Sequence, residues 1–255
     1  MKKLMSFLIF SLSLSFIISQ EKGESLFINY TQQIDMDIEE VLKNIPSQYR
    51  AQAEPILREE LKNGITNNYE LKTNGKVSVY SIEEKLNNAQ STGGMIAQQM
   101  AQADKEPLYK YLNENKYKKL IDFPGIDRIL IYDSLPDYQW KILRETEKIA
   151  GYETRKATGF LNDSVSVEAW FAPKIPINDG PAQVAGLPGL ILKASFKMNG
   201  ADVTITAHQI KVRDEDIKIK EPKANRVMRQ KEFEEEMKLW TEKMKKMHGT
   251  GVDKD

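Results

Sequence analysis

Two imidazoles and no thiol are all that this chain offers to a nucleophile mechanism. Its 255 residues include 2 His and no Cys. His208 falls in a strand-like run and His248 closes a C-terminal helical one. No G-x-S-x-G, H-E-x-x-H, C-x-x-C or phosphate-loop pattern accompanies them, so no base is paired with a nucleophile. Asp163, Glu168 and Asp179 sit near the most constrained stretch of the chain. Carboxylate pairs that work as acid and base are defined by spatial separation, which spacing in sequence does not give. Turn-forming Asp and a solvated Glu are the simpler reading. No catalytic residue is assigned, and a non-enzyme is expected. One set of soft ligands remains: Met237, Met244, Met247 and His248. Thioethers favour Cu(I), so copper or other soft-metal handling is the alternative reading. The same methionines recur at helical seam spacing, where Met usually packs. No cofactor is implied.

The constrained stretch runs from Trp170 to Phe196. Pro173, Pro176, Pro181 and Pro188 each fix φ and remove a donor. Gly180, Gly186 and Gly189 tolerate positive φ. An apolar run, Leu187 to Leu192, lies among them. The pattern predicts a shaped crossing between two strands, packed under apolar side chains.

Gly186-Leu187-Pro188-Gly189-Leu190-Ile191-Leu192 resembles the motif of the GLPGLI family, proteins exported by Gram-negative bacteria. Ile149-Ala150-Gly151-Tyr152, Lys156-Ala157, Ala169-Trp170-Phe171, Ile175-Pro176-Ile177 and Gly180-Pro181 fall in that family's order and spacing. The resemblance covers about Tyr138–Phe196. It implies an exported, β-rich protein without an assigned biochemical role. It supplies no catalytic residues. Trp170, Pro176, Gly180, Pro181, Gly186, Leu187, Pro188, Gly189, Leu190 and Ile191 are therefore read as a structural motif.

Charge narrows the partners. With 37 Lys+Arg against 37 Asp+Glu, there is no electrostatic case for nucleic acid or an anionic membrane. The length is enough to bury a core without disulfides. Lys2 and Lys3 precede a short apolar run, Leu4 to Ile18, followed by Ser19. That arrangement predicts a cleavable signal peptide over 1–19 and a mature chain starting near Gln20. The membrane is then met only before cleavage, and the protein is expected in the periplasm or secreted.

The remaining elements must carry the motif. Ser25–Gln32 reads as a strand. Asp35 opens a helical segment over about 36–63, which Pro46 should split and Asn63-Gly64 end. Thr66–Lys72 and Lys76–Ile82 flank Asn74-Gly75, a hairpin signal. Asn87–Glu106 reads as a polar insertion. Short strands follow at Leu108–Asn113, Tyr117–Phe123, Ile126–Tyr132, Trp140–Glu145, Tyr152–Phe160 and Ser164–Phe171. Leu190–Met198 and Val203–Val212 form the last hairpin. Asp214–Pro222 reads as a charged linker. Asn225 is expected to cap a final amphipathic helix whose seam is Phe233, Met237, Trp240, Met244 and Met247.

The expected fold is mainly β (α+β). It is a curved antiparallel sheet or partial barrel of about nine or ten strands, with an inserted helical segment and a long C-terminal helix. The expected division is a β-rich domain over 20–213, then linker and helix over 214–255. The leading functional reading is a non-catalytic envelope or secreted protein that binds an apolar ligand or an envelope partner. Tyr132, Trp140, Tyr152, Trp170 and Phe171 are expected in its lining or core. The C-terminal helix is a candidate for self-association.

Overall fold

The computed structural model describes residues 24–43, 45–83, 105–122, 128–161, 164–198, 200–217, 219–220 and 222–249. Residues 1–19, expected to be a signal peptide, and most of Asn87–Glu106 lie outside them.

Alternation of apolar and polar residues dominates, and it produces one open, curved sheet of 12 strands. In chain order these are β1 (Ser25–Met36), β2 (Ile65–Thr73), β3 (Val77–Ile82), β4 (Leu108–Tyr111), β5 (Lys116–Ile121), β6 (Ile129–Ser134), β7 (Lys141–Ile149), β8 (Tyr152–Leu161), β9 (Val165–Ala172), β10 (Leu190–Met198), β11 (Ala201–Arg213) and β12 (Arg226–Arg229). The helices are α1 (Ile38–Lys43), α2 (Ser47–Leu61) and α3 (Gln230–Gly249), with a short 3-10 turn at Leu112–Glu114. The spatial order is β12-β6-β5-β4-β3-β2-β1-β11-β10-β9-β8-β7. Neighbours are antiparallel except β12 and β6, which are parallel. The mainly β class read from the sequence is what the structure shows. The strand count exceeds nine or ten partly because Arg226–Arg229, expected inside the final helix, is a strand.

That strand corrects the assignment of Asn225 as a helix cap. The Asn225 N–H donates to the carbonyl of Arg128 at 2.8 Å, and α3 begins only at Gln230. Its first turn is satisfied by Glu232, which accepts from the Arg229 N–H at 3.0 Å, and by Asp133 of β6, which accepts from the Gln230 N–H at 3.3 Å. The chain between β11 and β12 must cross seven strand positions in the sheet order, about 34 Å at strand spacing. The residues from Asp214 to Asn225 reach at most about 40 Å. Glu215, Asp216, Ile217 and Lys220 lie with Phe27, Lys72, Val79 and Tyr109 around one outer groove, and the Ser25 hydroxyl donates to the Glu215 carbonyl at 2.6 Å.

The sheet has an inner and an outer face. Tyr30 and Ile34 of β1, Tyr69 and Leu71 of β2, Leu108 of β4, Val167 of β9 and Ile205 of β11 are buried on the inner face. Leu42 of α1 and Leu57 and Leu61 of α2 join the main core cluster. Pro46 precedes α2 and separates it from α1, as its ring requires. Pro55 is accommodated within α2. On the outer face lie Phe27, Trp170, Tyr132 and the charged partners of each.

Candidate functional site

The connection between β9 and β10, residues 173–189, folds across the inner face. Two ladder-like bonds close it. The Leu190 N–H donates to the Ile175 carbonyl and the Ile191 N–H to the Asp179 carbonyl, both at 2.9 Å. Gly189, at φ +155°, explains why the chain needs glycine there. A β-carbon at this position would stand 2.4 Å from the Ala172 carbonyl oxygen, well inside contact distance. Leu187 is fully buried in a second apolar cluster with Tyr138, Phe171 and Ile191. Gly186, at φ +92°, lies beneath Trp140. The indole N–H of Trp140 donates to the Ala185 carbonyl at 2.9 Å, and its ring stacks on Tyr138 at 4.8 Å.

Asp179 anchors this loop from within. Its side chain accepts from the ammonium of Lys110 and from the Gly180 N–H at 2.8 Å. Lys110 also donates to the Gly180 carbonyl at 2.6 Å. Both side chains are fully shielded from solvent. Lys110 belongs to β4 and alternates with Leu108 onto the inner face, so the pair ties the loop to the far half of the sheet. Burial lowers the Lys110 pKa and Asp179 works against that lowering. Tyr30 completes the surroundings, its hydroxyl donating to the Ile191 carbonyl at 2.7 Å. Burial, then the charge of Asp179, raises its pKa well above that of a free phenol. The second carboxylate oxygen of Asp179 and the hydroxyl of Ser78, which stands across from Lys110 in the ladder, have no hydrogen-bond partner among the described residues. A lysine, a carboxylate and a serine thus meet in one place, but Lys110 and Asp179 are sealed from solvent and neither lines the cavity described next. Their arrangement fits a clamp, since a reacting group needs access to its substrate.

A cavity of about 210 Å³ opens beside this clamp. One wall is Tyr69, Tyr80 and Leu108, with Lys119 and Glu106 at its edge. The opposite wall is Leu161, Val167, Phe196 and Met198. Tyr138 and the loop residues Ala182, Gln183 and Val184 form its third side, and Gln32 its floor. Leu108 and Val167 belong to strands six positions apart in the sheet order, about 29 Å along a flat sheet. Only strong curvature brings them to one small cavity, so the inner face is concave. The rings of Tyr69 and Tyr80 stack at 4.8 Å with planes 4° apart. Gln183 hydrogen-bonds the hydroxyl of Tyr117, which donates onward to Gln230 at the start of α3 at 3.2 Å. Burial and the charge of Asp133 push the Tyr117 phenol up to about 12. Ala182 has φ +49°, a conformation that costs a residue with a β-carbon about 1–2 kcal/mol. The lining is apolar with a few convergent polar groups, the composition of small-molecule sites.

The structure separates the residues singled out in the sequence. Gly180, Pro181, Leu187, Gly189, Leu190 and Ile191 are buried, while Pro176, Gly186 and Pro188 are exposed. Trp170, expected in the lining or core, lies on the outer face, half-buried against the main cluster, with Lys156 and Lys193 over its ring at 5.6 and 5.9 Å. Phe171, its neighbour in the strand, is the one turned into the core. Tyr132 also faces outward, under the Arg229 guanidinium. Tyr152 is half-buried against the main cluster. Glu168 pairs with Lys156 at 2.6 Å, and His208 is exposed with its ring 3.4 Å from the Thr31 hydroxyl. Asp163 lies outside the described residues. So do the side chains of Met244, Met247 and His248; Met237 is half-buried on α3. Among the described residues no group of three or more His, Asp or Glu could hold a metal ion. The tyrosine walls and the Lys110–Asp179 clamp were not picked out by motif. Strand parity carries them: Lys110 shares its face with Leu108, and Tyr69 with Leu71.

Comparison with known proteins adds the following. Residues 159–193 match the model of a family described as "Protein of unknown function (Porph_ging)", a stretch that holds β9 and the loop. No curated protein matches. PNGF-II, in a C2 crystal form, superposes with a TM-score of 0.51 at 17% identity, over 83% of this chain and 32% of that one. This chain therefore spans about a third of the length of PNGF-II, and the likeness is one of fold. A putative outer membrane lipoprotein-sorting protein domain from Vibrio parahaemolyticus aligns at TM-score 0.29 and 8% identity, over 76% of this chain and 87% of that one. An uncharacterised conserved protein from Thermus thermophilus aligns at 0.35 and 7%, over 79% and 90%. These two are too distant to carry argument.

Proposed function

We propose that this protein is an exported, non-catalytic binding protein of the GLPGLI type, and that its concave cavity takes an apolar group about the size of one aromatic ring or a short acyl segment. The cavity carries the reading. A dry apolar cavity of about 150 Å³ suffices for benzene, and this one is about 210 Å³. Three tyrosine rings and the side chains of Leu108, Val167, Phe196 and Met198 offer contact, while Gln32 and Gln183 can fix a polar end. Export is supported by the basic-then-apolar pattern of residues 1–19, and no described helix is long and apolar enough to cross a membrane. The family-model match over the loop accords with membership in an unassigned family.

The test uses indole and decanoate as probes, each titrated by calorimetry. Saturable binding of at least one, lost in Met198→Trp while the melting temperature holds, is the expected outcome. Met198 is 46% exposed at the cavity edge, so the larger ring can block entry without crowding the core. Absence of binding by both probes, or binding indifferent to Met198→Trp, would overturn the assignment.

A further inference from the structure

Helix α3 spans 20 residues, about 30 Å, and among the described residues its contacts with β12 and β6 and with the core lie in its first half. Phe233 packs against the main core. Arg226 holds Glu236 through two hydrogen bonds of 2.7 Å. Beyond these, Leu239 is 67% exposed and Trp240 44%. In proteins most helical stability comes from packing of an amphipathic face, and on α3 the adjacent Leu239 and Trp240 are left exposed.

The charge of the helix says what fits that surface. Glu232, Glu234, Glu235 and Glu236 outweigh Lys231 and Lys238 in its first half, and Lys243, Lys245 and Lys246 outweigh Glu242 in its second, so the halves carry net charges of −2 and +2. The seam residues Phe233, Met237, Trp240, Met244 and Met247 follow steps of four and three, the spacing of a coiled-coil seam. With Met237 and Met244 in one seam position and Trp240 in the other, Glu236 and Lys243 take the flanking position that precedes each methionine. In an antiparallel pair these flanking residues face each other across the seam, so Glu236 of each copy, while held by its own Arg226, meets Lys243 of the other. A parallel pair would set the acidic half of one helix beside the acidic half of the other, and basic beside basic.

We propose that α3 is a dimerisation element, and that its occupant is α3 of a second copy of this chain, packed antiparallel. Met237 of one copy then packs on Trp240 of the other, and the acidic first half of each helix lies along the basic second half of its partner. The fold leaves the helix outside the sheet, so pairing needs no rearrangement of the β-domain.

Sedimentation equilibrium of the whole protein at micromolar concentration should give twice the monomer mass. Trp240→Glu should give the monomer with an unchanged melting curve of the β-domain. Glu236→Lys and Lys243→Glu should each weaken self-association at least tenfold. An equimolar mixture of these two variants should recover a dimer, which is a heterodimer by native mass spectrometry. A monomeric wild-type protein, a dimer that survives Trp240→Glu, or charge variants that do not rescue each other would each overturn the proposal.

Discussion

Replacing Lys110 by methionine should destabilise the protein far more than replacing Lys110 and Asp179 together. Both side chains are fully buried. In the single variant, the carboxylate keeps only the Gly180 N–H at 2.8 Å, and the Gly180 carbonyl loses the donor that stood 2.6 Å away. An uncompensated buried charge of this kind costs about 3–5 kcal/mol. For a domain of this size that is a fall in melting temperature of about 6–20 °C. Asp179→Leu should cost a similar amount, because it strands the ammonium. The pair Lys110→Met with Asp179→Leu removes both charges, and a matched apolar pair is neutral or somewhat stabilising. The double-mutant cycle should therefore show coupling of at least about 3 kcal/mol, measured by urea denaturation followed by circular dichroism. Single variants that cost under about 1 kcal/mol, or costs that simply add, would refute the clamp.

Two further outcomes follow from the same loop and its surroundings. Gly189→Ala should cost about 2–4 kcal/mol, because strain and collision with the Ala172 carbonyl combine. Gly186→Ala should cost only about 1–2 kcal/mol, since its β-carbon would find the Trp140 ring at an ordinary 3.6 Å and strain alone remains; equal melting temperatures for the two variants would contradict this. Alkali should unfold the protein cooperatively. Burial raises the phenols of Tyr30, Tyr117 and Tyr138, so the folded state holds protons that the unfolded state releases near pH 10. Their contribution is complete below pH 10 and is lost as pH rises through about 12 for Tyr117, at about 1.4 kcal/mol per pH unit for each phenol. Lys110 has the opposite sign, but its pKa is lowered, so its effect ends once pH passes the free lysine value of 10.5. Phenolate absorbance should show these three of the 10 tyrosines ionising only with unfolding, and a smooth titration of all of them in folded protein would count against it.

The sheet was legible in the sequence because alternation is local. Val165, Val167 and Ala169 against Ser166, Glu168 and Trp170 assigns the two faces of β9 without knowledge of any neighbour. The same alternation places Trp170 opposite Phe171, so the two cannot line one face. The final strand was harder. Arg226–Arg229 is four residues long and has no alternation to speak of, with Val227 exposed and Met228 buried. What makes it a strand is β6, which lies about a hundred residues earlier and offers an unpaired edge. Helical propensity continuing into α3 gave no warning. Lys110 and Asp179 are separated by 69 residues, and no local rule couples a lysine on an apolar strand face to an aspartate between Asn178 and Gly180.

That long-range pair also bears on how the cavity can be tested. The loop that walls the cavity through Ala182, Gln183 and Val184 is the loop that Asp179 anchors, and Val184 lies five residues beyond the anchor. A variant that breaks the clamp will loosen the wall, so loss of binding in Lys110→Met would not distinguish a damaged cavity from an unfolded one. Met198 lies in a different position. It belongs to β10, on the opposite wall, and takes no part in the clamp. Change at Met198 alters access while the loop stays pinned, and change at Lys110 alters the pin while the lining residues stay the same. Gln183 stands between the two, because its bond to Tyr117 leads to Gln230 and so to α3. Gln183→Leu should lower stability by no more than about 1 kcal/mol, as one lost hydrogen bond implies. If this variant binds the apolar probe as the wild type does, the cavity recognises shape and apolar surface alone. If binding of decanoate falls while that of indole holds, Gln183 is the group that receives a polar end.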